Sequence, residues 1–334
     1  MAVTVTMLAA VTPGPAVARQ PDGPAARLAA GGSHTCALDG NGRISCWGQG
    51  GFGQLGNSSD ADRSRPVAVN APAGETFTHL AAGGNHTCGL ARNTGVYCWG
   101  SGRHGALGYG GVVNQTRPVT VNAPAGVTLT QLTAGGDHTC GLGSDTRTYC
   151  WGNGEYGQLG NADLVEQLTP GAVSAPAGVT LTHLAAGDDH MCGLGSDTGT
   201  YCWGNGVYGQ LGNGGEVNQL RPVAVDAPAG VIFTQLTAGT FHTCGISSDT
   251  SVYCWDEGRF GALGDGGTVD RTRPVAVRTP AGVTLTQLTA GRNHTCGLGG
   301  DVKVYCWGEG RFGALGDGGG TDQSTTPVAV IAPG

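Results

Sequence analysis

An all-β propeller of six blades is the fold predicted by three observations on this sequence. One histidine-centred phrase recurs with a step of 52 residues, at His34, His86, His138, His190, His242 and His294. Each unit carries several short runs suited to β-strands, separated by Gly-rich or Asn/Asp-rich turns. No stretch shows the 3.6-residue apolar period of a long amphipathic helix. A period of about 40 to 50 residues with four short strands is what a propeller blade requires, because so small a sheet must bury a face against its neighbour. Six units give six blades, and seven are expected if the chain is a fragment.

The second unit shows the elements in order. Residues 76–82 form a first β-like run, 86–90 a second, 96–99 a third and 118–121 a fourth. Between the third and fourth lies a loop reading Gly-x-[Phe/Tyr/His]-Gly-[Gln/Ala]-Leu-Gly, as at 258–264. Its glycines permit left-handed backbone and close chain approach, as a tightly wound loop between blades demands. Composition agrees with a single domain at 28–334. Gly (64) and Pro (16) make about a quarter of the 334 residues, a level that the fixed period turns from a sign of disorder into a supply of turn residues. Seventeen basic residues against twenty-four acidic ones give a net charge of −7. Lys303 is the one lysine, and no basic cluster exists, which argues against nucleic acid and anionic membrane. No run of 18 apolar residues occurs, so no membrane insertion is expected.

The cysteines set the compartment. In every unit two cysteines lie ten residues apart around a turn such as 39–42, so the paired strands bring them opposite each other at a separation of about 5 Å, within disulfide reach. Six bridges are expected: Cys36–Cys46, Cys88–Cys98, Cys140–Cys150, Cys192–Cys202, Cys244–Cys254 and Cys296–Cys306, each adding roughly 2 to 3 kcal/mol by loop entropy. Such pairing belongs to an oxidising, extracellular or cell-surface location. A zinc site built from His34, Cys36 and Cys46 is the competing reading. It is the weaker one, because the spacing matches no zinc pattern and the repeat supplies no fourth ligand. No metal and no cofactor are expected, and the histidines are read as buried structural groups. The Trp after each second cysteine is read likewise: Trp47, Trp99, Trp151, Trp203, Trp255 and Trp307. Residues 1–27 depart from the period; their apolar start and the small-x-small triplet Ala16-Val17-Ala18 are expected to be a leader or signal-peptide remnant, although a positive first segment is missing.

Residues 82–90 (Ala-Gly-Gly-Asn-His-Thr-Cys-Gly-Leu), 97–100 (Tyr-Cys-Trp-Gly) and 157–160 (Gly-Gln-Leu-Gly) resemble the repeat of the regulator of chromosome condensation family. The resemblance covers residues 28–334 and implies a propeller of that type; the added cysteine pair is similar to its secreted bacterial branch. Nuclear members are guanine-nucleotide exchange factors that sit on chromatin and usually reach a GTPase through an insertion in one blade. Here every histidine keeps the 52-residue step, so no blade from His34 to His294 carries an insertion.

The expected function is therefore non-enzymatic binding of a protein or carbohydrate by a monomer or part of a larger surface protein. Two rings of side chains are candidates. The residue before each histidine varies (Ser33, Asn85, Asp137, Asp189, Phe241, Asn293), and the Gly-rich loop presents Phe52, His104, Tyr156, Tyr208, Phe260 and Phe312. Polar groups beside aromatic ones suit a contact surface; a plainer role for the aromatics is only to cover the clefts between blades. A guanine-nucleotide exchange factor for a small GTPase and a propeller hydrolase or lyase are less well supported by the residues. For catalysis an asymmetric constellation is needed. The departures from the repeat are Asp188-Asp189 with Met191 in place of Thr, and Asp256-Glu257, both read as drift between duplicated units. Acids at both ends of 265–270 and 317–322 weakly resemble a calcium loop but lack alternating ligands.

Overall fold

The computed structural model describes residues 27–319 and 322–331. They form six four-stranded antiparallel sheets, each a simple meander in chain order. The first blade contains β1 (Arg27–Ala30), β2 (His34–Leu38), β3 (Ile44–Gly48) and β4 (Arg63–Ala68), and the second contains β5 (Phe77–Ala82), β6 (His86–Ala91), β7 (Val96–Gly100) and β8 (Gln115–Thr120). The expected propeller of four-stranded blades is what forms. The fourth strand starts three residues earlier than its apolar run, because Gly100 pairs with Gln115 across a register shift. At that shift the backbone turns left-handed (Gly100 φ 106°), a geometry that favours glycine. The leader expected in residues 1–27 lies outside the described residues, save for Arg27 at the start of β1.

All six disulfides form between directly opposed residues of the second and third strands, with Cα atoms 4.1 Å apart. The sulfurs are bonded to each other, so the thiolates of the zinc reading do not exist. The core lies between blades. Leu90, Val96, Leu107 and Val121 of the second blade pack on Leu129, Leu132, Tyr149 and Trp151 of the third. A side chain of that size gains roughly 1.5 to 3 kcal/mol on burial, so blade-to-blade contact carries the stability.

Among the described residues, the Gly-rich loop of the sixth blade lacks the neighbour that it has in the first five. In the first five blades the central glycine of the Gly-rich loop lies against the next blade's fourth strand: a Cβ on Gly53 would sit 2.8 Å from Thr116 Cα, and one on Gly261 2.6 Å from Thr325 Cα. At Gly313 of the sixth blade nothing lies within 4 Å among the described residues.

Candidate binding face

The repeated histidine is the first link of a relay between blades. His34 Nε2 lies 2.8 Å from Thr87 Oγ1 of the next blade, and that hydroxyl donates to the Gln54 carbonyl at 3.0 Å. The same carbonyl accepts Trp99 Nε1–H at 2.9 Å. The hydroxyl has one proton and spends it on Gln54, so it accepts from the imidazole, which is neutral with its proton on Nε2. Nδ1 of His34, His86 and His190 is buried without a partner among the described residues. Burial holds these rings far below the ordinary imidazole pKa, at about 4 for His34 and about 3 for His86 and His190. The histidine–threonine link recurs at His86–Thr139, His190–Thr243 and His242–Thr295, each at 2.8 Å, and the threonine's onward bond to the loop carbonyl at Thr139 and Thr243. It fails at His138, where Met191 stands in place of the threonine and packs into the apolar cluster around Trp203 instead. Replacing Thr139 by Val should cost about 2 kcal/mol, since it orphans the buried His86 Nε2–H, while the Ala106 carbonyl keeps its Trp151 donor; a lowered urea midpoint at unchanged slope is the expected reading, and an unmoved midpoint would show the relay to be energetically idle.

Meander topology puts the loop between the first and second strands of each blade at the same end as the loop between the third and fourth. Both expected rings therefore share one end of the propeller. The Gly-rich loops adopt two forms, selected by the Gln/Ala choice in the motif. Where Gln follows, its side chain accepts the amide two residues back, as with Phe52, Tyr156 and Tyr208. Where Ala follows, that acceptor is missing; the loop tightens into a 3-10 turn, and His104, Phe260 and Phe312 take positive φ of 55°, 62° and 59°.

The rings are not even. Ser33 and Asn85 line a hollow of about 500 Å³ on the propeller axis, with Asp188, Thr240 and Arg292. Phe241 stacks edge-on against Tyr208 of the preceding blade with centroids 5.4 Å apart. His104 meets Glu166 of the next blade at 2.9 Å. Phe312, by contrast, is fully exposed. Asn293, Phe260 and Phe312 line a second hollow of about 520 Å³ with Arg259, Arg292, Glu309 and Arg311.

Charge divides this end. Asp137, Glu155, Asp188 and Asp189 gather on the third and fourth blades; burial, then the charges of Asp188, Asp137 and Glu155, push Asp189 up to about 6. Arg259, Arg292 and Arg311 gather on the fifth and sixth, with Glu257 and Glu309 among them. Arg259 lies over its own Phe260 ring at 4.8 Å, and Glu309 is 3.7 Å from Arg311 and accepts from Asn293 at 2.9 Å. Sequence reading missed the three arginines because it followed positions that vary in aromatic or pre-histidine character. The signal was the residue two before each histidine, which runs Gly32, Gly84, Gly136, Asp188, Thr240, Arg292, and the one before each loop aromatic, which includes Arg103, Arg259 and Arg311.

The acids of the supposed calcium loop serve as braces: Asp265 accepts from the Gly267 amide and Arg271, and Asp270 from the Gly258 amide. Among the described residues no cluster of three metal-ligating side chains occurs, and no helix is long and apolar enough to cross a membrane.

A family model described as an RCC1-like domain matches residues 7–333. The chain belongs to the RCC1-like family. Ultraviolet-B receptor UVR8 of Arabidopsis thaliana is 31% identical over 307 residues, covering 92% of this chain and 70% of that protein. Among solved structures, yeast RCC1 (Prp20) bound to Kap60 superposes with a TM-score of 0.81 at 24% identity, covering 91% of this chain and 74% of that one. The ectodomain of the Physcomitrella patens receptor kinase CR4 gives 0.55 at 26%, covering 84% and 61%. The family match starts at residue 7, within the stretch where a leader was expected. On the RCC1-like frame, the repeated His, Cys and Trp are committed to the interior in all but the partly buried Trp47, His294 and Cys296, which leaves the loop end as the surface free to differ from blade to blade.

Proposed function

We propose that this RCC1-like chain is a non-enzymatic binding propeller of an oxidising, extracellular compartment, and that it engages a protein through its loop end. The observation that carries this reading is the division of that end into an acidic half (Asp137, Glu155, Asp188, Asp189) and an arginine–aromatic half (Arg259, Arg292, Arg311, Phe260, Phe312), displayed on blades whose framework is otherwise repeated. Complementary charge sets partner choice and encounter rate, and arginine beside aromatic groups is the usual anchor chemistry of protein interfaces. Six disulfides support the compartment, as does the likeness to a receptor-kinase ectodomain. The Prp20 structure is itself that of a propeller with a bound protein. An exchange-factor role has less support, since no blade carries an inserted segment between His34 and His294.

The test compares the immobilised chain with charge reversals at each end of the ring. Asp137→Lys with Asp189→Lys, and Arg259→Glu with Arg311→Glu, are expected to abolish capture of an extracellular protein partner and leave melting unchanged. Arg43→Glu with Arg147→Glu, at the opposite end, should bind as before, and capture should weaken as salt rises from roughly 0.05 to 0.5 M. A partner lost with the opposite-end pair, or kept by both loop-end pairs, refutes the proposal.

A further inference from the structure

We propose that the hollow on the propeller axis is a binding site for a free α-amino acid, held at its ammonium group by Asp188 and at its carboxylate by Arg292. The site shares the loop end with the protein contact proposed above, but neither needs the other. Its wall is the ends of the first strands and the residues that follow them, from Ala30 on the first blade to Arg292 on the sixth. One wall position recurs every 52 residues and reads Gly32, Gly84, Gly136, Asp188, Thr240 and Arg292. Three adjacent blades thus present no side chain there, and the next three present an acid, a hydroxyl and a base. The bare side leaves room, the other side holds all the charge of the lining, and a volume of about 500 Å³ suits a small molecule.

Backbone bonding divides at the same place. The Gly32 amide donates to Gly83 and Gly84, the Gly84 amide to Gly135 and Gly136, and the Gly136 amide to Asp188, which laces the first four blades together. Among the described residues no such bond starts from the amides of Asp188 or Thr240. A carboxylate seated between the charged blades would meet these N–H groups as well as the guanidinium.

Asp188 and Arg292 are both exposed, and no ion pair joins either of them to another described residue. They stand two blades apart, beyond direct contact yet within each other's field: burial raises the Asp188 pKa, and Thr240 and Arg292 pull against it. Asp137 adds a second negative charge near Asp188, and Glu257 feels Arg292 without pairing with it. Two charge-assisted hydrogen bonds of about 2.8 Å, with the N–Cα–C link of one amino acid between them, fill such a gap, and the opposite signs at its ends fix the ligand's direction. A simple anion satisfies Arg292 alone, and a simple amine Asp188 alone. Among the described residues no aromatic side chain lines the hollow, so a sugar ring or a nucleobase has no face to stack on. The ligand's own side chain falls on the glycine side, where Ser33 and Asn85 favour a polar group.

The test is calorimetric titration of the whole chain at neutral pH with each common α-amino acid, then with the N-acetyl and C-amide forms of the best binder. Saturable binding is expected for at least one free amino acid, and either cap should weaken it roughly 10-fold or more, as loss of one charged hydrogen bond does. Asp188→Asn should abolish the penalty for acetylation and Arg292→Gln the penalty for amidation, each weakening the free amino acid about 10-fold. Arg147→Glu, at the opposite end, should bind as the parent does. The proposal is overturned if no free amino acid gives saturable heat up to about 10 mM, if capping makes no difference, or if either Asp188→Asn or Arg292→Gln binds the free amino acid as the parent does. Protein capture is read through Asp137, Asp189, Arg259 and Arg311 instead, so failure here leaves that reading standing.

Discussion

Replacing Asp256 by Gly is expected to raise the stability of this protein more than any other single change. Asp256 occupies the strand-end position that is Gly48, Gly100, Gly152, Gly204 and Gly308 in the other blades, and it adopts their left-handed backbone with φ 93°. Its carboxyl is completely buried, and neither oxygen has a hydrogen-bond partner among the described residues. Burial, then the charges of Glu257 and Asp270, raise its pKa from 3.8 to about 9. The unfolded chain releases this proton above pH 3.8 while the folded chain keeps it up to about 9, so the folded state loses stability steadily as pH rises between those values. At pH 7 the cost is roughly 4 kcal/mol, and a non-glycine residue at positive φ adds about 1 kcal/mol more. Asp256→Gly should therefore melt roughly 8 °C or more above the parent at pH 7, with the difference shrinking toward pH 4. Asp256→Asn removes the charge and keeps the strain, and should recover only part of the gain. Equal melting of parent and Asp256→Gly across that range would contradict the burial argument.

Acid is expected to unfold the propeller steeply between about pH 6 and pH 4. His86, His138, His190 and His242 are completely enclosed, with pKa values of about 3, 4, 3 and 4, chiefly through loss of water. Their folded pKa lies below the unfolded value of 6.5, so the unfolded state binds more protons and stability falls as pH drops through this window. At pH 5 each ring costs about 2 kcal/mol. Four together reach about 8 kcal/mol; relief of the buried Asp256 charge between pH 7 and pH 5 returns about 3 kcal/mol, and the remainder is still comparable with the whole stability of a typical domain. Near-ultraviolet circular dichroism of the buried tryptophans should be lost in one steep transition, and its slope should report uptake of several protons. A protein still native at pH 4 would show that the relay tolerates charged imidazole.

Much of this is legible in the sequence because the repeat imposes its own spacing. The disulfides follow from two cysteines equidistant from a turn, since antiparallel pairing allows them one opposite partner. Four strands per blade follow from the turns; the early start at Gln115 does not, because a polar residue at a bulge leaves no apolar signal. Asp256 is visible in the sequence only as a departure that resembles drift, whereas its significance is conformational: the backbone alone shows that its position is left-handed and sealed. The threonine after each histidine is in plain view, but its partner lies 53 residues away on another blade, and no local pattern joins them. At the loop end, the two rings of varying residues can be read from the repeat, yet their division into acidic and basic halves depends on which blades stand together around the axis.

Every disulfide of this chain closes within its own blade, and apart from the polypeptide itself the blades are joined by non-covalent contacts. A duplication or deletion that exchanges whole 52-residue segments therefore adds or removes cysteines two at a time and strands no thiol. Each new unit arrives with its partner already ten residues away, so oxidative folding need not choose among pairings that multiply with blade number. Such a chain can change length by recombination without accumulating mispaired intermediates.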